Sequence, residues 1–261
     1  METVEKYLTW AAEDRGFLPN TIARYKSVLD SVPHPDTIDR EGLETWWESR
    51  RDLSPRTRNN ELAVLNAFYK WAIRYDYRTD NPARRIVPPV VREELPTPIT
   101  STELKQLLTF LEGEPDLLRA AALGAYAGLR IGEAATASWD LYTPHDRMLR
   151  IVGKGAKERH VAISAVLYDL IGPPCGGNIV TAGERPYAAG TLTKKINRRF
   201  RQAGLGLTFH SLRKRGAGLA LSNGANPIAV ARMFGWADLN TAQRYAAVEF
   251  DELHTVANLL V

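Results

Sequence analysis

The sequence predicts a mainly α-helical protein with one small β-hairpin or sheet, an α+β chain in two domains. Three observations predict it. Apolar residues recur at helical spacing through most of the 261 residues. Only RMLRIV and ERHVAI, on either side of GKGAK, read as paired β-branched runs, a hairpin. IVPPVVREELPTPIT (86–100) carries Pro88, Pro89, Pro96 and Pro98, which exclude helix between two helical stretches. The expected organisation is a small helical domain at 1–86, a proline-rich linker at 87–99 and a larger mixed domain at 100–261.

In the first domain, VEKYLTWAAE sets Val4, Leu8 and Ala11 on one stripe with Tyr7 beside it. NTIARYKSVLDSV repeats the pattern with Ile22, Tyr25 and Leu29. DREGLETWWESR starts at a capping Asp39 and buries Leu43 with Trp46 or Trp47. Ser54 and Pro55 suit the N-cap and first position of a longer helix, in which Leu62, Leu65, Phe68, Tyr69, Ala72 and Ile73 form the apolar face. Thr100 and Glu103 form a capping box that opens the second domain. EPDLLRAAALGAYAG and LRIGEAATAS read as helices, followed by the hairpin. Helices are then expected at 190–203, 208–222, 227–234 and 239–248, with a short amphipathic one in ELHTVANLLV (252–261).

Composition narrows the function classes. Hydrophobic residues are 44% and charged residues 25%, enough for a buried core. Cys175 is the single cysteine, which rules out an internal disulfide and a cysteine-rich zinc site and suits a reducing cytoplasm. The start, METVEKYLTWAAEDRG, holds acids and no long apolar run, unlike a signal peptide or membrane span. Charge is unevenly placed. Residues 1–95 hold 15 Lys/Arg against 16 Asp/Glu, and residues 96–261 hold 19 against 14. Residues 185–237 contain ten Lys/Arg and no acid, a field that attracts polyanions.

Several residues could carry chemistry. In TFHSLRKRGA (208–217), His210 and Arg213 share a helix face near its N-terminus, a clamp for a phosphate or oxyanion; alone, such a pair is a weak signal. Arg130 in GLRIGEA follows a very apolar helix and needs an anionic partner, either a ligand or Glu133 three residues on. Lys154 sits at the glycine-flanked hairpin tip, as a functional cation or a plain turn lysine. Trp236 offers an indole N–H donor, and Tyr245, seen alone, reads as a packed aromatic. Arg56 and Arg58 lie in a first helical turn, where the dipole disfavours cations, and are either phosphate contacts or solvated. No cluster of Asp, Glu and His suggests a two-metal site.

Together these segments resemble the tyrosine recombinase (phage integrase) family. GLRIGEA, the GKG hairpin, HSLRKRGAG, Trp236 and Tyr245 appear in that family's order, and the helix from Ser54 to Tyr75 followed by DNPA looks like the end of its core-binding domain. The resemblance implies a helical, SAM-like core-binding domain and a tyrosine-recombinase catalytic domain. It implies that Arg130 and Arg213 hold the scissile phosphate and that Tyr245 is the nucleophile, forming a 3′-phosphotyrosyl link. His210 would assist proton transfer at the tyrosine. Lys154, with Lys157 as the alternative, would protonate the departing 5′-oxygen. Trp236 would donate to the phosphate, and Glu133 would orient Arg130. Most members carry histidine where this chain has Trp236.

The resemblance further implies site-specific recombination of double-stranded DNA at core-type crossover sites, through a Holliday junction, with no metal and no ATP. It implies a homotetramer on DNA and a monomer in solution, with no membrane. The setting would be the cytoplasm of a bacterial host, at the nucleoid, for integration and excision of a phage or mobile element. The helical domain begins almost at Met1, so no arm-binding domain is expected. Arg56, Arg58, Lys194, Arg198 and Lys214 are the expected DNA contacts. ELHTVANLLV is a candidate for docking into the next protomer of a ring, or onto its own domain. Two other activities remain open from sequence: a non-cutting, architectural DNA-binding protein, and a type IB topoisomerase-like relaxing enzyme.

Overall fold

Side-chain caps open the third and fourth helices, and the first four helices together bury an aromatic core. The computed structural model describes residues 2–91, 99–153, 157–183 and 185–236. The chain divides into two compact units, Met1–Leu95 and Pro96–Val261. In the first, α1 (Glu2–Glu13), α2 (Pro19–Ser31), α3 (Arg40–Glu48) and α4 (Pro55–Arg74) precede a 3-10 turn at Pro82–Arg85. Asp39 accepts from the Gly42 N–H and Ser54 from the Thr57 N–H, the side-chain caps their positions call for. Tyr7, Leu29, Leu43, Leu65, Phe68 and Tyr69 fill the core, and both Trp46 and Trp47 are buried.

One element of the apolar pattern is displaced. Ile73, expected on the buried face of α4, is 38% exposed, while Val64 and Trp71 lie inside. The helix packs against α1 and α2. Its buried stripe therefore widens along Val64, Phe68 and Trp71, at helical spacing, and leaves Ile73 at the rim. The Tyr7 and Trp71 rings stand 5.2 Å apart across that contact.

The second unit carries α5 (Ser101–Phe110), α6 (Pro115–Tyr126) and α7 (Ile131–Thr136), then a three-stranded antiparallel sheet. Its strands, β1 (Tyr142–Thr143), β2 (Met148–Val152) and β3 (Glu158–Ala162), pair in sequence order, and Arg150 faces His160 across the β2–β3 hairpin. After α8 (Ala165–Ile171) comes a two-residue ribbon, β4 (Thr181–Ala182) with β5 (Arg185–Pro186). Three helices follow: α9 (Ala189–Gln202), α10 (Phe209–Ser222) and α11 (Pro227–Phe234). The capping box of Thr100 and Glu103 opens α5 as expected. The two-residue strands β1, β4 and β5 are too brief to show a period, whereas α8, absent from the expectations, has a signal in the N-cap Ser164 and in Leu167 and Ile171 four residues apart.

Small residues let α6 and α10 approach closely. A Cβ on Gly216 would stand 2.6 Å from the Ala125 carbonyl, and one on Gly124 would stand 2.8 Å from the Phe209 ring. This crossing sets the buried face of α10 against the turn that follows α6. The helices expected at 239–248 and 252–261 lie outside the described residues. Among the described residues, no helix is long and apolar enough to cross a membrane.

Candidate active site

The turn after α6 builds the first part of the site. Gly128 takes a left-handed backbone (φ +64), and the Phe234 ring fills the space where a side chain would begin, with a Cβ meeting it at 2.5 Å. Arg130 is the N-cap of α7. Its backbone N–H donates to Glu133 Oε2 at 2.7 Å and its Nη1 to Glu133 Oε1 at 3.0 Å. Its Nη2 reaches the Gly235 carbonyl at 3.0 Å. The pairing with Glu133 weighed from sequence is therefore present. It leaves the Arg130 side chain 50% exposed, so the same arginine can still meet a ligand.

Arg213 lies on α10 and is only 2% exposed. Its Nη1 donates to the Gly128 carbonyl and its Nη2 to the Phe234 carbonyl. The guanidinium also lies 5.3 Å from the Phe234 ring centre. His210, one turn earlier, is exposed. Its pKa is held below the ordinary imidazole value, first by partial desolvation and then by the charges of Lys214, Arg213 and Arg130. Sequence spacing put His210 and Arg213 on one helix face, without saying how deeply either is buried. The helix opens His210 to solvent and turns Arg213 into the floor, because α10 packs directly on α6. At the helix start, the Ser211 hydroxyl accepts from the Thr208 N–H at 3.2 Å.

Trp236 follows the left-handed cap Gly235 (φ +61) that ends α11. Its ring centre is 5.5 Å from that of Phe234, and its backbone N–H donates to the Ala231 carbonyl at 2.9 Å. An open cleft of about 1240 Å³ is lined by Arg130, Glu133, Lys157, Arg159, Arg232 and Trp236, among others. Lys157 is exposed at its edge. Lys154 and Tyr245 lie outside the described residues.

Arg159 has no counterpart in the sequence expectations. Strand alternation sends it, with Val161, to the inner face of β3 while Glu158 and His160 face out. It grips both Glu133 oxygens, at 2.8 and 2.7 Å. Burial alone would raise the Glu133 pKa, but Arg159 and Arg130 outweigh it and bring the group to about 2. An inward-facing arginine in ERHVAI was the available signal.

The expected nucleic-acid contacts separate into classes. On α9, Lys194 and Arg198 are exposed, as is Arg201 one further turn along that face. On the neighbouring face, Lys195 pairs with Asp116 at 3.1 Å and donates to the Tyr187 hydroxyl at 2.8 Å, and Arg199 pairs with Glu114 at 2.5 Å. The acid-free stretch is thus partly neutralised by residues far away in sequence. Lys214 is half-buried. In the first unit Arg56 is exposed, whereas Arg58 is half-buried with its guanidinium 4.3 Å from the Trp47 ring centre. That departs from a freely solvated pair. Among the described residues there is no group of three or more His, Cys, Asp or Glu that could hold a metal ion.

Two anchored guanidiniums and an imidazole with depressed pKa can neutralise an oxyanion and move a proton beside it. The profile of the Phage integrase family matches residues 98–252. The tyrosine recombinase XerC of Alcanivorax borkumensis is 28% identical over 284 residues, covering 98% of this chain and 92% of that protein. Among solved structures, a lambda integrase dimer bound to a COC′ core site superposes with a TM-score of 0.78 at 18% identity, over 96% of this chain and 78% of that one. A lambda integrase tetramer bound to a Holliday junction gives 0.75 at 17% identity, over 91% and 77%.

Proposed function

The chain belongs to the phage integrase family, and on that premise we propose that Tyr245 attacks a DNA phosphate held over Arg130 and Arg213. The protein is a site-specific DNA recombinase, an enzyme that breaks and rejoins DNA strands. In the proposed step the Tyr245 oxygen bonds to phosphorus and the bond to the 5′-oxygen breaks, leaving a 3′-phosphotyrosyl link. His210 takes the tyrosine proton, and Lys154 gives one to the departing 5′-oxygen. Trp236 donates its indole N–H to the phosphate.

The observation that carries this reading is the convergence of Arg130 and Arg213, from distant segments, on the carbonyls of Gly235 and Phe234 immediately before Trp236. Arg130 supplies positive charge from an exposed side chain and Arg213 from the buried floor. Fixed cations of this kind stabilise charge that grows in the transition state, each by about 3 kcal/mol. A tyrosine with an ordinary pKa near 10 needs them and a proton acceptor to become nucleophilic. A neutral His210 serves as that acceptor. The phosphotyrosyl bond conserves the energy of the bond it replaced, so rejoining needs neither ATP nor metal.

The assembly we propose is a homotetramer on double-stranded DNA, formed from monomers on core-type sites and passing through a Holliday junction. The lambda integrase tetramer on such a junction, similar in fold, supports it. We place its action on the DNA of a bacterial host, in phage or mobile-element integration and excision. The test uses a nicked duplex carrying the site recovered from a random-sequence library by binding to this protein. With EDTA and no ATP, a covalent protein–DNA band on a denaturing gel is expected, and it disappears in Tyr245→Phe. A native complex without any covalent band would assign the protein to non-cutting DNA binding.

A further inference from the structure

Three guanidinium groups hold the end of α11. The Met233 carbonyl accepts from Arg159 Nε at 2.8 Å, the Phe234 carbonyl from Arg213, and the Gly235 carbonyl from Arg130 Nη2 at 3.0 Å. The preceding carbonyls, Ala231 and Arg232, accept from the Trp236 and Gly235 N–H groups. Carbonyls at a helix C-terminus have no partner within the helix and form its negative pole, so cations are favoured there. Two of the three arginines are already assigned to the phosphate. Arg159 is not.

Arg159 differs from the other two in what it meets. Its side chain is 11% exposed, and each of its three nitrogens contacts protein: Nε the Met233 carbonyl, Nη1 and Nη2 the two Glu133 oxygens. Glu133 in turn holds the backbone and guanidinium of Arg130. Gly235 is packed against Arg159 so closely that a Cβ there would stand 3.0 Å from its Cδ. One side chain on β3 therefore joins the start of α7 to the end of α11.

We propose that Arg159 is a positioning residue for strand cleavage. Through Glu133 it fixes the guanidinium of Arg130. Through the Met233 carbonyl it fixes the point where the chain leaves α11 toward Trp236 and, nine residues on, Tyr245. It does not touch the phosphate. The proposal rests on the catalytic roles proposed above for Arg130 and Tyr245.

The experiment measures single-turnover cleavage of the nicked duplex, with DNA affinity measured on the same preparations, for wild type, Arg159→Gln, Arg159→Lys and Arg130→Ala. A charge-assisted hydrogen-bond network of this kind corresponds to roughly a 10- to 100-fold loss in rate constant. We expect that loss in Arg159→Gln, with DNA affinity within about twofold of wild type. Arg159→Lys should fall between, because an ammonium keeps the charge but cannot span two carboxylate oxygens and a carbonyl. A purely structural role would lower the amount of active protein, seen as burst amplitude, and leave the rate constant intact. A wild-type rate constant in either Arg159 variant, beside an inactive Arg130→Ala, overturns this inference alone. An Arg130→Ala protein that cleaves at the wild-type rate overturns the underlying reading of the site. If Arg159→Gln does not fold, the rate constant of Arg159→Lys decides the matter by itself.

Discussion

Arg213 on α10 donates to the carbonyl of Gly128, in the turn that leads into Arg130. The second arginine of the site thereby determines the backbone that presents the first. Gly128 has a left-handed backbone and faces the Phe234 ring at a distance no Cβ could occupy. Gly128→Ala should therefore cost about 2–5 kcal/mol, the sum of left-handed strain and overpacking. Urea denaturation measures it; a loss below about 0.5 kcal/mol would mean the turn adapts freely.

Removing the arginines should separate chemistry from binding. Arg130→Ala is expected to lower the cleavage rate by about 100- to 1,000-fold while changing DNA affinity far less. Arg213→Ala should add a stability loss, since a buried side chain and its two carbonyl partners are disrupted together. Rate and melting temperature, taken on the same preparations, distinguish the two variants. Equal losses in rate and affinity would reduce both arginines to backbone anchors.

His210 supplies a pH prediction. Desolvation first, then Lys214, Arg213 and Arg130, hold its pKa below the usual imidazole value, so the neutral form prevails at pH 7. If the neutral form accepts the tyrosine proton, cleavage falls as pH drops through that pKa. Lys214→Gln removes one of the opposing charges and should raise the His210 pKa, moving the acid limb of the rate profile to higher pH. NMR titration of the imidazole reads the same shift directly; no movement in either would contradict the electrostatic account.

Glu133 supplies another, read in stability rather than in rate. Its folded pKa of about 2 lies below the ordinary value of 4.5. Its contribution to stability is therefore present above the unfolded value and is lost as pH falls from about 5 toward 2. The difference corresponds to something near 3 kcal/mol. Glu133→Gln should flatten the stability profile over that interval, measured by denaturant melts from pH 3 to 7.

The two faces of α9 should respond differently. Lys194→Gln and Arg198→Gln should weaken DNA binding and each reduce the salt dependence by about one charge, with unchanged stability. Lys195→Gln should instead destabilise the fold by about 1–2 kcal/mol, because it strips a partner from Asp116 and Tyr187. Salt-dependent binding curves and thermal melts on the three variants are sufficient. A Lys195 variant that loses affinity but no stability would reverse the assignment.

Periodicity and capping chemistry are local, and they were legible. The four helices of the first unit, the Thr100–Glu103 capping box, the hairpin and the helices α9 to α11 all stand close to where the sequence put them. Residue type raised Arg130, His210, Arg213 and Trp236 one by one, the family resemblance joined them into a set, and the fold brings Arg130 and Arg213 to the end of α11 beside Trp236. What was not legible depends on groups that meet only through packing. No window of sequence shows that Asp116 neutralises Lys195, that Glu114 neutralises Arg199, or that Arg213 is buried while its neighbour His210 is exposed.

By itself, then, the sequence determined which segments are helical, which residue types could hold a phosphate, and the order in which they come. Only the tertiary structure decided which cations are neutralised and which remain open. Arg159 shows the reason: its meaning lies in a carboxylate 26 residues away and a carbonyl 74 residues away. A charge in a folded protein is defined by what desolvates and pairs it, and those contacts exist only once α7, β3 and α11 are packed together.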